Sequence, residues 1–279
     1  MTKPIIPQKK PLPVLPAADI WLPAIRLRGL RTILSIFAVL ALLATAVAQD
    51  AERKQDVAAQ IQRLRQLGAV VFTKEGIVTE VNANRSMIKD ANLEAVADFT
   101  QMTDLSLEAT AIGDAGLRHL HKLHKLEWLN LYRTRVGDEG LAQLSRLRSL
   151  QHLPIGETRV TDQGLAHVSK MKQLVYLGLR DNDVTDAGAQ HLRELVKLTG
   201  LHLGETKITD EGLKHLVGLD RLQTLWLNET VITDDGVALL VKLKSLRELH
   251  IVETGITSEG VKRLRTRMPK CRVIVSYQQ

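Results

Sequence analysis

The sequence predicts an α/β solenoid, a stack of strand-plus-helix repeats in which consecutive strands lie parallel and adjacent. Three observations predict it. Thr110, Thr134, Thr158, Thr206, Thr230 and Thr254 stand 24 or 48 residues apart, with Asn182 filling the one gap. Aspartates four residues further on keep the same step (Asp114, Asp138, Asp162, Asp186, Asp210, Asp234), as do Gly116, Gly140, Gly164, Gly188, Gly212, Gly236 and Gly260. The apolar period also changes inside each cycle. Leu225 and Leu227 alternate around Trp226, the two-residue period of a short strand. Gly236, Val237, Leu240 and Leu243 then recur at mostly three-residue steps, which suit a short helix or 3₁₀ segment.

The elements follow in order. Val57, Ile61 and Leu64 mark one face of a helix over about residues 51–67. Ala69 to Phe72 and Ile77 to Val81 read as a hairpin turning at Lys74-Glu75-Gly76. Residues 78–101 repeat the later columns in degenerate form, with Ser86, Ile88, Asp90 and Leu93 in register and Asn92 in the glycine column. In the regular cycles a short oxygen-bearing side chain such as Thr233 or Asp234 is placed to cap the helix. About 24 residues for a strand and a helix force neighbouring strands to be parallel, and no cycle buries its leucines without its neighbours. Pro269 ends the last helical segment, and Arg272 to Tyr277 reads as a final strand. The organisation is thus a leader over 1–48, an N-terminal cap over 49–77, repeats over 78–268 and a C-terminal cap strand over 269–279.

The cycle form L-x-x-L-x-L-x-x-T-x-I-T-D-x-G-L, as in Leu222 to Asp234, resembles the leucine-rich repeat of exported bacterial proteins, with threonine where many members carry asparagine or cysteine. The resemblance covers about residues 78–275. It implies an arc or horseshoe with parallel strands on the concave side and short helices on the convex side. Structurally, the threonine hydroxyls are expected to satisfy backbone groups of the bend, and the glycines to allow close approach of helix and sheet. No phosphate-binding glycine motif is present.

The leader is a different material. Lys3, Lys9, Lys10, Arg26, Arg28 and Arg31 face a single acid, Asp19, so removing it lowers the net charge from +7 to +2 (38 basic and 31 acidic residues become 32 and 30). The basic pI therefore belongs to the leader and gives no case for nucleic acid as a partner. Ile33 to Ala48 is uncharged and ends Ala46-Val47-Ala48, the form of a secretory signal cleaved after Ala48. The alternative is an uncleaved membrane anchor over residues 33–48. Both readings export the repeats, to the periplasm or the extracellular space, and only the anchor makes the membrane a partner. The single Cys271 excludes an internal disulfide and reads as a buried cap residue.

Side chains beside and between the strand leucines point to the concave face. The candidate partner-binding residues are Trp128, Tyr132, His152, Tyr176, Arg180, His202, Trp226, Asn228 and His250, with an acidic row at the rim, Glu157, Asp181, Glu205, Glu229 and Glu253. Large aromatics sharing one exposed face are typical of interaction hot spots, and the acids favour a basic partner. Trp226→Ala is accordingly expected to leave stability nearly intact. His119, His167, His191 and His215 form a column on the helical side, but repeat spacing holds them too far apart to converge on a metal. No irregular constellation of nucleophile, base and orienting group stands out, so no catalytic residue and no cofactor is assigned. The sequence thus points to a monomeric, non-catalytic module binding a protein or peptide. The alternative is a carbohydrate or cell-wall binding module stacking sugars on Trp128, Tyr132, Tyr176 and Trp226.

Overall fold

The computed structural model describes residues 25–277, with side chains described from residue 40 onward. The Pro-rich basic part of the leader, and the side chains of the first residues of the apolar run, lie outside the described residues. The chain divides into two compact units, Met1–Lys54 and Gln55–Gln279. One helix, α1 (Ile25–Gln66), crosses that boundary. It is longer than the helix read over 51–67. The run from Ile33 to Arg65 is rich in alanine, leucine and glutamine, with neither proline nor glycine, so helical propensity continues without a stop signal. Among the described residues no helix is long and apolar enough to cross a membrane.

Within the second unit the solenoid is a single ten-stranded sheet in strict chain order. β1 (Val70–Lys74) and β2 (Ile77–Asn82) form the antiparallel hairpin. Its turn places Glu75 (φ 54°) and Gly76 (φ 78°) in the left-handed region, as a two-residue hairpin turn requires. From β2 onward every pairing is parallel, through β3 (Asp104–Ser106), β4 (Trp128–Asn130), β5 (His152–Pro154), β6 (Tyr176–Gly178), β7 (Gly200–His202), β8 (Thr224–Trp226), β9 (Glu248–His250) and β10 (Arg272–Ile274). Short helices, α2 (Asp114–Leu117) to α8 (Ser258–Arg267), fill the other side of each cycle. The degenerate first repeat has a 3₁₀ segment, Asp90–Val96, in that place.

One continuous core runs from Leu64 to Val273, and the inward strand leucines Leu129, Leu153, Leu177, Leu201 and Leu225 are fully buried. Val57 and Ile61 pack against its first edge, as their spacing with Leu64 predicts. Cys271 is buried near the other end, and burial pushes its thiol up to about 11.

The polar columns satisfy the bend within each cycle and join one cycle to the next. Each threonine hydroxyl donates to the carbonyl three residues earlier, as Thr206 Oγ1 does to Leu203 O at 2.6 Å. Asn182 does more: its Nδ2 donates to both Ile155 O and Leu179 O, while its Oδ1 accepts from Thr158 N and lies 2.8 Å from Thr158 Oγ1, whose single proton it shares with Ile155 O. The aspartates form a ladder. Asp186 Oδ1 accepts from Thr209 N at 2.8 Å, and its Oδ2 accepts from Thr209 Oγ1 at 2.6 Å. Thr209 in turn caps α6 (Asp210–Leu213) through the backbone N–H of Glu211. The glycine column admits this carboxylate: a β-carbon at Gly212 would overlap Asp186 Oδ1. The room is therefore needed between successive helices, not between helix and sheet as the sequence reading has it. It also explains Asn92, because the position one cycle earlier is Gln66 and no carboxylate needs the space.

Candidate functional site: the concave face

The strand register lines up three rows of outward side chains. Trp128, His152 and Tyr176 are successive partners in one row, and His202, Trp226 and His250 in the next. At the C-terminal end these residues form one packed cluster. The His202 and Trp226 rings stack at 5.4 Å and 10°, and Trp226 and His250 stack at 5.4 Å and 27°. Tyr176 meets Trp226 edge-on at 6.2 Å. Small residues make this possible: a β-carbon at Gly200 would lie 2.9 Å from Tyr176 Cδ2, and one at Gly204 would lie 2.8 Å from His202 Cε1.

Burial in this cluster, with Arg180 and His250 nearby, holds the His202 imidazole down at about 4, so it is neutral at pH 7. Burial likewise raises the Tyr176 hydroxyl. His250 keeps its ring placed by a 2.6 Å contact of Nε2 with Glu248 Oε1. Trp226 is thus covered on both faces, and its truncation removes packing. That revises the expectation that stability is indifferent to it.

Tyr132 behaves in the same way one row over. Its ring lies over Gly156, where a β-carbon would come within 3.1 Å, and the Arg133 guanidinium sits 5.4 Å from its centroid. Its hydroxyl donates to Glu157, which also pairs with Arg133. The Arg133 contact, followed by the Tyr132 hydrogen bond, holds the Glu157 carboxyl below its ordinary range. Trp128 is different. It is 46% exposed, has no aromatic partner among the described residues, and is flanked by an exposed His152.

The acidic row has a backbone feature that the sequence did not reveal. Glu157, Asp181, Glu205, Glu229 and Glu253 all adopt left-handed conformations, with φ between 50° and 58°. Ordinary residues are disfavoured there, and the position is held by the sheet: Glu205 N donates to Asn228 O, and Glu229 N to Val252 O, both at 2.8 Å. Nor is the row uniformly free charge. Glu157 is engaged with Arg133, Glu205 pairs with Arg180, and Glu229 accepts from the Tyr277 hydroxyl, which that bond pushes up to about 12. Asp181 and Glu253 form no ion pair among the described residues.

Other positions depart from a simple outward reading. Asn130 is only 9% exposed, with its Oδ1 accepting from Tyr132 N, and Val252 is 4% exposed. Asn228 Oδ1 accepts from Val252 N at 2.9 Å, so part of its polarity is spent on the sheet. Arg180, His202, Gly204, Glu205, Asn228, Glu229 and Tyr277 enclose a depression of about 180 Å³. Tyr277, beyond the last repeat, carried no periodic signal. Phe72, 48% exposed on β1, was read as hairpin only, although its alternation with buried Val71 places it on this face. The histidine column lies on the helical side, and no cluster of metal-binding side chains occurs among the described residues.

Stacked cycles with one open, side-chain-rich sheet define a class, the repeat solenoid. Residues 78–276 match the family described as leucine-rich repeat region, and the chain belongs to the leucine-rich repeat family. No curated protein matches it in sequence. Among solved structures it is similar to internalin C2 from Listeria monocytogenes, at 22% identity and a TM-score of 0.58, over 72% of this chain and 82% of that one. It is also similar to the plant peptide hormone receptor RGFR1 in complex with RGF2, at 16% identity and a TM-score of 0.49, over 74% of this chain and 36% of that one. At these identities the likeness is one of fold.

Proposed function

We propose that this chain is a non-catalytic recognition module whose concave face binds a protein or peptide in the cell envelope. The observation that carries this reading is the packed cluster of Tyr176, His202, Trp226 and His250, with the exposed Trp128 two strands away on the same sheet. Rings already ordered in the free protein lose little conformational freedom on binding, which is how aromatic hot spots contribute affinity. The same packing argues against sugar stacking. Both faces of Trp226 are occupied, Tyr176 packs against Gly200 and the Trp226 ring, and Tyr132 packs close to Gly156 and the Arg133 guanidinium, whereas Trp128 is 46% exposed. Export is supported by the basic flank and the uncharged run from Ile33 to Ala48, as a cleaved signal or as an anchor.

The test is crosslinked capture from envelope extract with the full chain as bait, comparing wild type with a Trp128→Ala, Trp226→Ala double variant, followed by binding of the purified captured protein. Capture by wild type alone, reproduced with purified components, supports the reading. Identical captures would overturn it.

A further inference from the structure

Resting on the proposal that the concave face recognises a protein, we infer that the N-terminal end of that face takes an extended basic segment, with lysine or arginine side chains, on the row Phe72, Glu80, Asp104 and Trp128. These residues are successive partners in the register: Phe72 opposite Glu80, Glu80 opposite Asp104, and Asp104 opposite Trp128. Val71, Val81, Leu105 and Leu129, each adjacent in sequence to a member of the row, are buried, which puts the row on the open side of the sheet. Two aromatic side chains, 48% and 46% exposed, therefore flank two adjacent carboxylates.

The carboxylates lack a cation of their own. Neither Glu80 nor Asp104 forms an ion pair among the described residues, and Asp104 Oδ2 accepts only from Thr103 Oγ1. Of the arginines near this row, Arg85 reaches toward Glu108 at 3.8 Å, Arg133 pairs with Glu157, and Arg65 donates to Val71 O at 3.4 Å. Lys74, on the same hairpin, is paired in register with Ile77 and makes no ion pair. Like charges in directly opposed strand positions are unfavourable, and a bound cation relieves that repulsion. The flanking rings supply apolar contact for the stem of such a side chain and a quadrupole for its charge. Three strand spacings of ~4.8 Å separate Phe72 from Trp128, a distance spanned by about four residues of extended chain. At the other end of the face the stacked rings cover one another, and Glu205, Glu229 and Glu248 already have partners.

The experiment measures fluorescence anisotropy of a labelled octapeptide of alternating lysine and glycine, against its glutamate counterpart, with the full chain in mild detergent. The lysine peptide is expected to bind with an affinity that falls as salt rises, and the glutamate peptide not to bind. Glu80→Gln with Asp104→Asn is expected to weaken binding at least about tenfold and to flatten the salt dependence, and Trp128→Ala to weaken it by a similar factor, with Glu259→Gln on the convex helix as the unchanged control. Equal binding by wild type and the Glu80→Gln, Asp104→Asn variant, or no binding of the lysine peptide, overturns the inference. If envelope capture survives that double variant, the broader protein-recognition reading stands without it. If nothing is captured by wild type, the broader reading itself fails.

Discussion

The Asp186 carboxylate occupies the space that a β-carbon on Gly212 would require, so the two columns that define the repeat are the two halves of one contact. Gly212→Ala forces Asp186 away from Thr209 or shifts a helix. A loss of about 1–3 kcal/mol is expected, the usual range for overpacking plus a disturbed, partly buried hydrogen bond. Urea denaturation of the variant against wild type measures it, and an unchanged midpoint would show that the ladder is not stabilising.

Asn182 joins two cycles where threonine serves only its own. Asn182→Thr restores the column's majority residue yet removes the bond to Ile155 O and the acceptor for Thr158. The variant that looks more regular in sequence is expected to be less stable by roughly 1–2 kcal/mol. Equal stability would mean the bridging bonds contribute nothing net.

Leu203 is fully buried at the centre of the stack. Its truncation to alanine should cost about 2–5 kcal/mol, and because cycles are coupled to their neighbours, faster amide exchange should spread into the adjacent repeats. Exchange confined to one cycle would contradict that coupling.

His202 makes stability pH-dependent. Its folded value of about 4 lies below the ordinary 6.5, so between these limits the unfolded chain binds the extra proton. The contribution is complete above pH 6.5 and is lost as pH falls toward 4. With partial solvent screening it amounts to about 2 kcal/mol. Urea midpoints measured from pH 7.5 to 4 should fall more steeply for wild type than for His202→Gln.

The two outward tryptophans should separate on stability. Trp226→Ala removes a ring packed by Tyr176, His202 and His250 and is expected to cost about 1–3 kcal/mol, whereas Trp128→Ala should stay within about 0.5. Equal midpoints for the two variants would contradict the packing described for the cluster.

That contrast shows where sequence reading ends. Trp128 and Trp226 occupy neighbouring outward columns of the repeat, and nothing in the repeat pattern says which of the two rings is covered. The distinction comes from neighbours one and two strands away, a histidine on each side of Trp226 and none stacked on Trp128. Likewise the left-handed backbone at Glu205 and Glu229 could not be read from residues that rarely adopt it, and Phe72 and Tyr277 lie in caps outside the repeating columns.

The sequence by itself determined the solenoid, its parallel strand order, its inward leucines and the positions of its polar columns. Each of these depends on contacts within a cycle or between adjacent cycles, and such contacts recur at a fixed separation that periodicity exposes. Only the tertiary structure decided which outward rings are free, which acids are neutralised, and that an aromatic from the N-terminal hairpin joins the concave row. Those outcomes depend on ring orientation, on vacant space above particular glycines and on charge pairing across the sheet, and none of them repeats with the chain.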